Sequence, residues 1–171
     1  VLNVDLVNEP ATLDPHMQAN HDSIVVYRNI FDNLLTRDDD GRIVPQIATA
    51  WRQISDTEIE FDIRQGVKFH DGTPLAAEDV VYSVRRITNP ALRSSQLPNF
   101  NRIVGAELAG PDKVRLRTQT AYPVLLSQLV NLSIVPRAYV ERVGQEAFIQ
   151  NPIGSGPYRF VSWQRGQRVT L

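Results

Sequence analysis

Residues Glu58-Ile59-Glu60-Phe61-Asp62-Ile63 alternate strictly between charged and apolar side chains. Successive side chains on a strand point to opposite faces, so this period calls for a sheet with one face on a core and the other in water. Val67-Lys68-Phe69 alternates again, and Asp71-Gly72 supplies turn residues after it. From Pro74 to Thr88 the period becomes helical. Val80, Val84 and Ile87 mark one face, Glu78 and Asp79 suit the positive end of a helix dipole, and Arg85 and Arg86 suit the negative end. Pro74 is expected in the first turn of this helix, and Asn89-Pro90 stops it.

The remaining segments read less sharply. Val1–Val7 is expected as a buried strand ended by Asn8-Glu9-Pro10, and Asp14-Pro15 as a turn. Ile24, Val25, Tyr27, Arg28, Phe31 and Leu34 fall at helical spacing, with Asp22 or Ser23 as the expected N-cap. Asp38-Asp39-Asp40-Gly41 reads as a solvated hairpin loop; it lacks the alternating ligands and closing carboxylate of a calcium loop. Residues 91–102 have no period and are expected as a surface loop. Ile103–Leu108 and Val114–Thr118 pair as a hairpin, Pro123–Leu132 and Pro136–Val143 read as helices, and Tyr158–Trp163 with Gln167–Leu171 closes a last hairpin around Arg165-Gly166. Strands and helices alternate without a βαβ rhythm, so the fold class is mixed α/β of the α+β kind. Val1–Val7 and Tyr158–Leu171 are the expected sheet partners, with the middle of the chain bulging out as an insertion.

Composition removes several function classes. A net charge of -1 with Lys and Arg scattered over 171 residues gives no footprint for nucleic acid. The absence of cysteine excludes disulfides, thiolate zinc sites and a cysteine nucleophile. The longest apolar-rich run, Ala121–Val135, is interrupted by Pro123, Ser127, Gln128 and Asn131, so no membrane insertion is expected. Val1 in place of an initiator Met, and a strand-like pattern running into Leu171, lead us to expect more chain on both sides.

Several chemistry-bearing residues have plain structural roles as the better reading. His70 beside Asp71 resembles a base and its orienting carboxylate, but neighbours on a strand face opposite ways, and no strained nucleophile motif is present. A turn whose polar groups cap the following helix is the better reading. His16 and His21 lie in a proline-containing loop that does not force them onto one face, so no metal site is expected. Gly154-Ser155-Gly156-Pro157 lacks the lysine and following helix of a phosphate loop and reads as a crossover hinge. Trp51 and Trp163 are expected in packing. No catalytic residue and no cofactor is expected.

Specific phrases occur in order along the chain: Leu13-Asp14-Pro15-His16, Asn29-Ile30-Phe31-Asp32-Asn33-Leu34-Leu35, Pro45-Gln46-Ile47-Ala48-Thr49-Ala50-Trp51, Phe61 to Leu75, Ala77-Glu78-Asp79-Val80-Val81-Tyr82-Ser83 and Pro152 to Tyr158. Together they resemble the extracellular solute-binding proteins of peptide, dipeptide, nickel and opine ABC importers. The resemblance implies a periplasmic-binding-protein-like fold cut short. Residues 1–37 and 154–171 would belong to the first lobe, 38–153 to an inserted α/β domain, and the second lobe is absent. It implies capture of an oligopeptide, dipeptide or similar small solute for delivery to a membrane permease, in the periplasm or outside the cell, with a lipid anchor as one possibility upstream.

The resemblance also supplies site candidates. Ala19, Asn20 and His21 would lie at the mouth of the cleft, contacting an extended ligand through backbone as well as side chains. Asn99, Phe100 and Asn131 mark where the inserted domain would approach the ligand, and Ser155 would border the cavity. Two departures from the family pattern are local: Ala76 stands where Thr or Ser is common, losing a cap worth about 1 kcal/mol, and Ser155 stands where Thr is common. Two rival classes stay open: a ligand-sensing domain of a regulator, and a metal-dependent hydrolase using His16, His21 and nearby carboxylates.

Overall fold

The computed structural model describes residues 4–18 and 20–171. Helix α1 is His21–Ile30, followed by strands β1 Leu35–Arg37, β2 Ile43–Pro45, β3 Ala48–Ser55 and β4 Glu58–Ile63. Helix α2 is Ala77–Ile87. After a 3-10 turn at Pro90–Leu92 come α3 Leu97–Phe100, β5 Ile103–Gly110, β6 Lys113–Thr118, α4 Leu125–Leu129, α5 Arg137–Gln150, β7 Ser162–Gln164 and β8 Arg168–Thr170.

The alternating hexapeptide becomes β4, an inner strand of an antiparallel sheet ordered β3-β4-β6-β5. Its apolar set, Ile59, Phe61 and Ile63, joins Val114 and Leu116 of β6 in the main core. Its charged set meets opposite charge across the ladder: Glu58 faces Arg117, Glu60 faces Arg52 and Arg115, and Asp62 pairs with Lys113. These pairs favour this register over a one-residue slip, which would drive the carboxylates into the core.

Helix α2 covers the apolar face with Ala77, Val80, Val81, Val84 and Ile87, all buried. Side chains of this size contribute about 1.5–3 kcal/mol each when removed from water. Arg85 fixes the crossing by donating Nε and Nη2 to the Ala106 carbonyl on β5 at 3.1 and 2.8 Å. The helix starts later than the sequence suggests. Pro74 bridges Lys68, and the Leu75 and Phe69 amides bond to Val67 and Thr73 in a small hairpin around Asp71-Gly72. That hairpin claims residues 73–75. At the N-cap Ala76 has no acceptor, so only half of a capping box exists: the Asp79 carboxylate accepts from the Ala76 amide at 2.9 Å. Asp79 also accepts from the Arg137 amide at 2.9 Å, joining the starts of α2 and α5.

A second apolar cluster gathers Leu13, Val26, Tyr27, Ile30, Phe31, Val135, Val140 and Phe148, with Leu6, Phe160, Trp163 and Val169 around it. The expected strand at Val1–Val7 is corrected in part: residues 1–3 lie outside the described residues, and Val4–Val7 form no strand. Among the described residues β7 pairs only with β8. The two segments meet instead through side chains, with Glu9 Oε1 accepting from Trp163 Nε1 at 2.9 Å and from the Gly166 amide at 3.0 Å. Residues 91–102, expected as plain loop, fold into the 3-10 turn and α3, whose Phe100 is fully enclosed.

Candidate functional site

Helix α1 ties most of the candidate residues together. Asn20 caps it, its Oδ1 accepting from the Ser23 amide at 3.0 Å, so the helix begins two or three residues earlier than the expected Asp22 or Ser23 caps imply. Asn20 and His21 are exposed at this end. Arg28, seven residues on and also exposed, shares their side of the helix, with Ile24 and Val25 half-buried between. Arg28 Nη2 donates to Asn131 Oδ1 at 2.9 Å, which places Asn131 beside the same helix.

The far end of α1 is closed by the glycine loop. The Gly156 and Tyr158 amides donate to the Ile30 and Asn29 carbonyls at 2.8 and 2.9 Å, satisfying acceptors that a helix end leaves free. Beyond it, Asp32 accepts from Gln46 Nε2 and from Ser155 Oγ, each at 2.9 Å. His70 fastens the loop from the other side. Its Nε2–H donates to the Gly156 carbonyl at 2.8 Å, and its own amide donates to the Gly154 carbonyl at 2.9 Å. His70 therefore braces this loop rather than capping α2, and Asp71 spends its carboxylate on Thr73.

The loop leading into α1 is buried and held from a distance. Asp14 Oδ1 and Oδ2 take both terminal nitrogens of Arg86 on α2, at 2.9 and 2.5 Å, and both side chains are nearly inaccessible. Arg86 also lies over the Phe148 ring, 5.5 Å from its centroid. His16 is completely enclosed and donates Nε2–H to the Ser133 carbonyl at 2.8 Å. Burial, helped by Arg86, lowers its pKa to about 4, so it is neutral. His16 is thus sealed inside while His21 faces solvent, and no cluster of three or more metal-ligating side chains occurs among the described residues.

The sequence-derived candidates separate accordingly. Asn20, His21, Asn131 and Ser155 gather along α1 and its exit. Asn99 is exposed on α3. Phe100 is corrected: its ring is a core side chain with no exposed surface, and it presents nothing to a ligand. Ala19 lies outside the described residues. Arg28 and Asp32 lie on the same surface, bonded to Asn131 and Ser155, and the seven-residue spacing of Arg28 from His21 is legible once the helix is assigned. Trp51 is half-buried against the main core and Trp163 against the second cluster, as expected of packing residues. A shallow depression lined by Asp56, Thr57, Tyr122 and Leu126 shares no residue with this surface.

Comparison with known proteins now decides the family. The sequence pattern described as bacterial extracellular solute-binding proteins, family 5 Middle, matches residues 42–171. The chain belongs to that family. Among its curated relatives is the periplasmic murein peptide-binding protein MppA of Escherichia coli (strain K12), 29% identical over 171 aligned positions, covering 88% of this chain and 32% of the relative. Among solved structures, NikZ from Campylobacter jejuni in complex with Ni(L-His) superposes with a TM-score of 0.87 at 32% identity, over 95% of this chain and 33% of that one. AgaA from A. tumefaciens R10 in complex with agropinic acid superposes with a TM-score of 0.86 at 30% identity, over 94% and 33%. This family 5 chain spans about a third of the length of the relatives it matches. No helix among its described residues is long and apolar enough to cross a membrane.

Proposed function

We propose that this chain forms the front portion of the substrate-binding component of an ABC importer, working in the periplasm or outside the cell. It captures an oligopeptide, dipeptide, nickel chelate or opine-like solute and presents it to the membrane permease. The observation that carries this reading is family membership over residues 42–171, together with a nearly whole-chain superposition on binding proteins of this kind. Ligand is held in a crevice that closes around it, so the bound form is stabilised by contacts made only on closure, and no bond is made or broken.

In this reading residues 1–37 and 154–171 belong to one lobe and 38–153 to an inserted domain. The two apolar clusters follow that division in part: Leu34 and Leu35 pack in the main core, while Val135, Val140 and Phe148 pack in the cluster of α1. The ligand would run along the α1 surface, touching Asn20 and His21 at one end, Asn131 and Arg28 along it and Ser155 at the other, with Asn99 nearby. The test is thermal unfolding of the whole protein against a panel of di- and tripeptides, Ni(II)–L-histidine and opines. A ligand at a hundred times its Kd stabilises by about 2.7 kcal/mol. A panel in which no member raises Tm sinks the reading.

A further inference from the structure

The loop preceding α1 pairs with no strand among the described residues, and its Gln18 carbonyl also accepts from Tyr27 Oη of α1 at 3.3 Å, yet the loop is largely buried. Buried carbonyls need donors. Four consecutive ones find them in a single tripeptide almost eighty residues away. Gln96 Nε2 donates to the Pro15 carbonyl and, at 3.0 Å, to the Gln18 carbonyl. Ser94 Oγ donates to the His16 carbonyl. Ser95 donates to the Met17 carbonyl with both Oγ and its amide, at 3.0 and 3.3 Å. Both partners of the Gln96 amide are carbonyl oxygens, which accept only, so its NH2 group must be the end that faces them.

We propose that Ser94-Ser95-Gln96 is the positioning element of the loop leading into α1, residues 14–18, and through it sets where Asn20 and His21 stand. The ligand-facing role of those two residues rests on the proposed function; the positioning itself does not. Gln96 is 1% exposed and Ser94 is buried, so these donors have no water to compete for them. The tripeptide is itself braced on both sides. Arg93 closes the 3-10 turn in the left-handed region, at φ 54 and ψ 37, and α3 follows with Phe100 sunk in the core. Every residue type carries the same carbonyl. The grip is therefore indifferent to the side chains at 15–18, leaving neighbouring positions free to be chosen for a ligand.

The test is hydrogen exchange by mass spectrometry on the whole protein, comparing wild type with Gln96→Ala and Gln96→Glu, which keeps the shape but removes the donors. Peptides covering 12–22 should exchange at least about tenfold faster in both variants, with a much smaller change in peptides from β4 and β6. Should neither Gln96 variant fold, Ser95→Ala removes one exposed hydroxyl and should give a local rise of two- to fivefold. An equal rise in loop and sheet, or no rise in the loop, overturns the positioning role. A ligand panel without a binder would sink the proposed function and leave the exchange pattern standing, so the two failures are distinguishable.

Discussion

Gly154 makes the strongest quantitative demand on the fold. A Cβ added there would lie 2.1 Å from the Ile30 carbonyl oxygen, 2.7 Å from Phe31 Cδ1 and 2.8 Å from the Ile30 carbonyl carbon. Contacts below 3.0 Å are not tolerated, so loop and helix end must separate by roughly 1 Å, more than a packed core absorbs without rearrangement. The separation strains three bonds: Gly156 amide to Ile30, His70 amide to Gly154, and His70 Nε2–H to Gly156. Overpacking costs about 1–3 kcal/mol, and losing two of the three bonds adds about 1 kcal/mol each, so Gly154→Ala should destabilise by about 3–5 kcal/mol. The control is Gly105→Ala, where the new methyl meets only Arg117 Cβ at 3.5 Å, an ordinary contact on strand β5. That variant should fall within about 1 kcal/mol of wild type. Urea unfolding of both, followed by tryptophan fluorescence, measures the difference. If Gly154→Ala costs no more than Gly105→Ala, close approach is not what selects glycine at this loop.

The buried Asp14–Arg86 pair should be costly to halve: Asp14→Ala leaves an uncompensated guanidinium and should destabilise by about 3–5 kcal/mol in the same assay. His16 makes stability pH-dependent. Its folded pKa of about 4 lies below the unfolded value of 6.5, so the unfolded chain binds the extra proton, and stability falls as pH drops from about 6.5 to 4. His16→Gln should flatten that part of the profile, and an unchanged slope would remove His16 as its source. Ala76→Ser should restore the missing cap oxygen of α2 and stabilise by about 1 kcal/mol, read as a rise in Tm of a few degrees.

What the sequence made legible was what local rules determine. Glu58–Ile63 becomes β4 because one period fixes both faces, and α2 appears because its valines and its terminal charges agree. Strand β3 was missed since Ala48–Ser55 is an edge with mostly exposed side chains and bulges at both ends, which erase the alternation. Helix α5 runs past Val143 because Gly144, at φ 79, allows a kink rather than a stop. Pro74 was placed in the wrong element because the bridge to Lys68 and the hairpin around it are formed by residues up to eight positions apart, outside any helical period.

The candidate site was less legible for a different reason: its parts are placed by bonds between distant residues. Phe100 looked available to a ligand because residues 91–102 show no period, yet its ring holds α3 down and so holds Gln96 in place. Gln96 in turn grips carbonyls 78 and 81 residues away, and a carbonyl leaves no trace in the sequence of the residue that owns it. Asp14, by contrast, was legible as part of a family phrase but not as the partner of Arg86, which read only as a favourable charge at a helix end. Local propensity therefore accounts for the scaffold of sheet and α2. The surface along α1 depends on a small number of buried polar anchors, each supplied from a distant part of the chain. Substitutions at those anchors should alter the site before they alter the sheet, because the sheet's register is secured independently by its own charge ladder and apolar face.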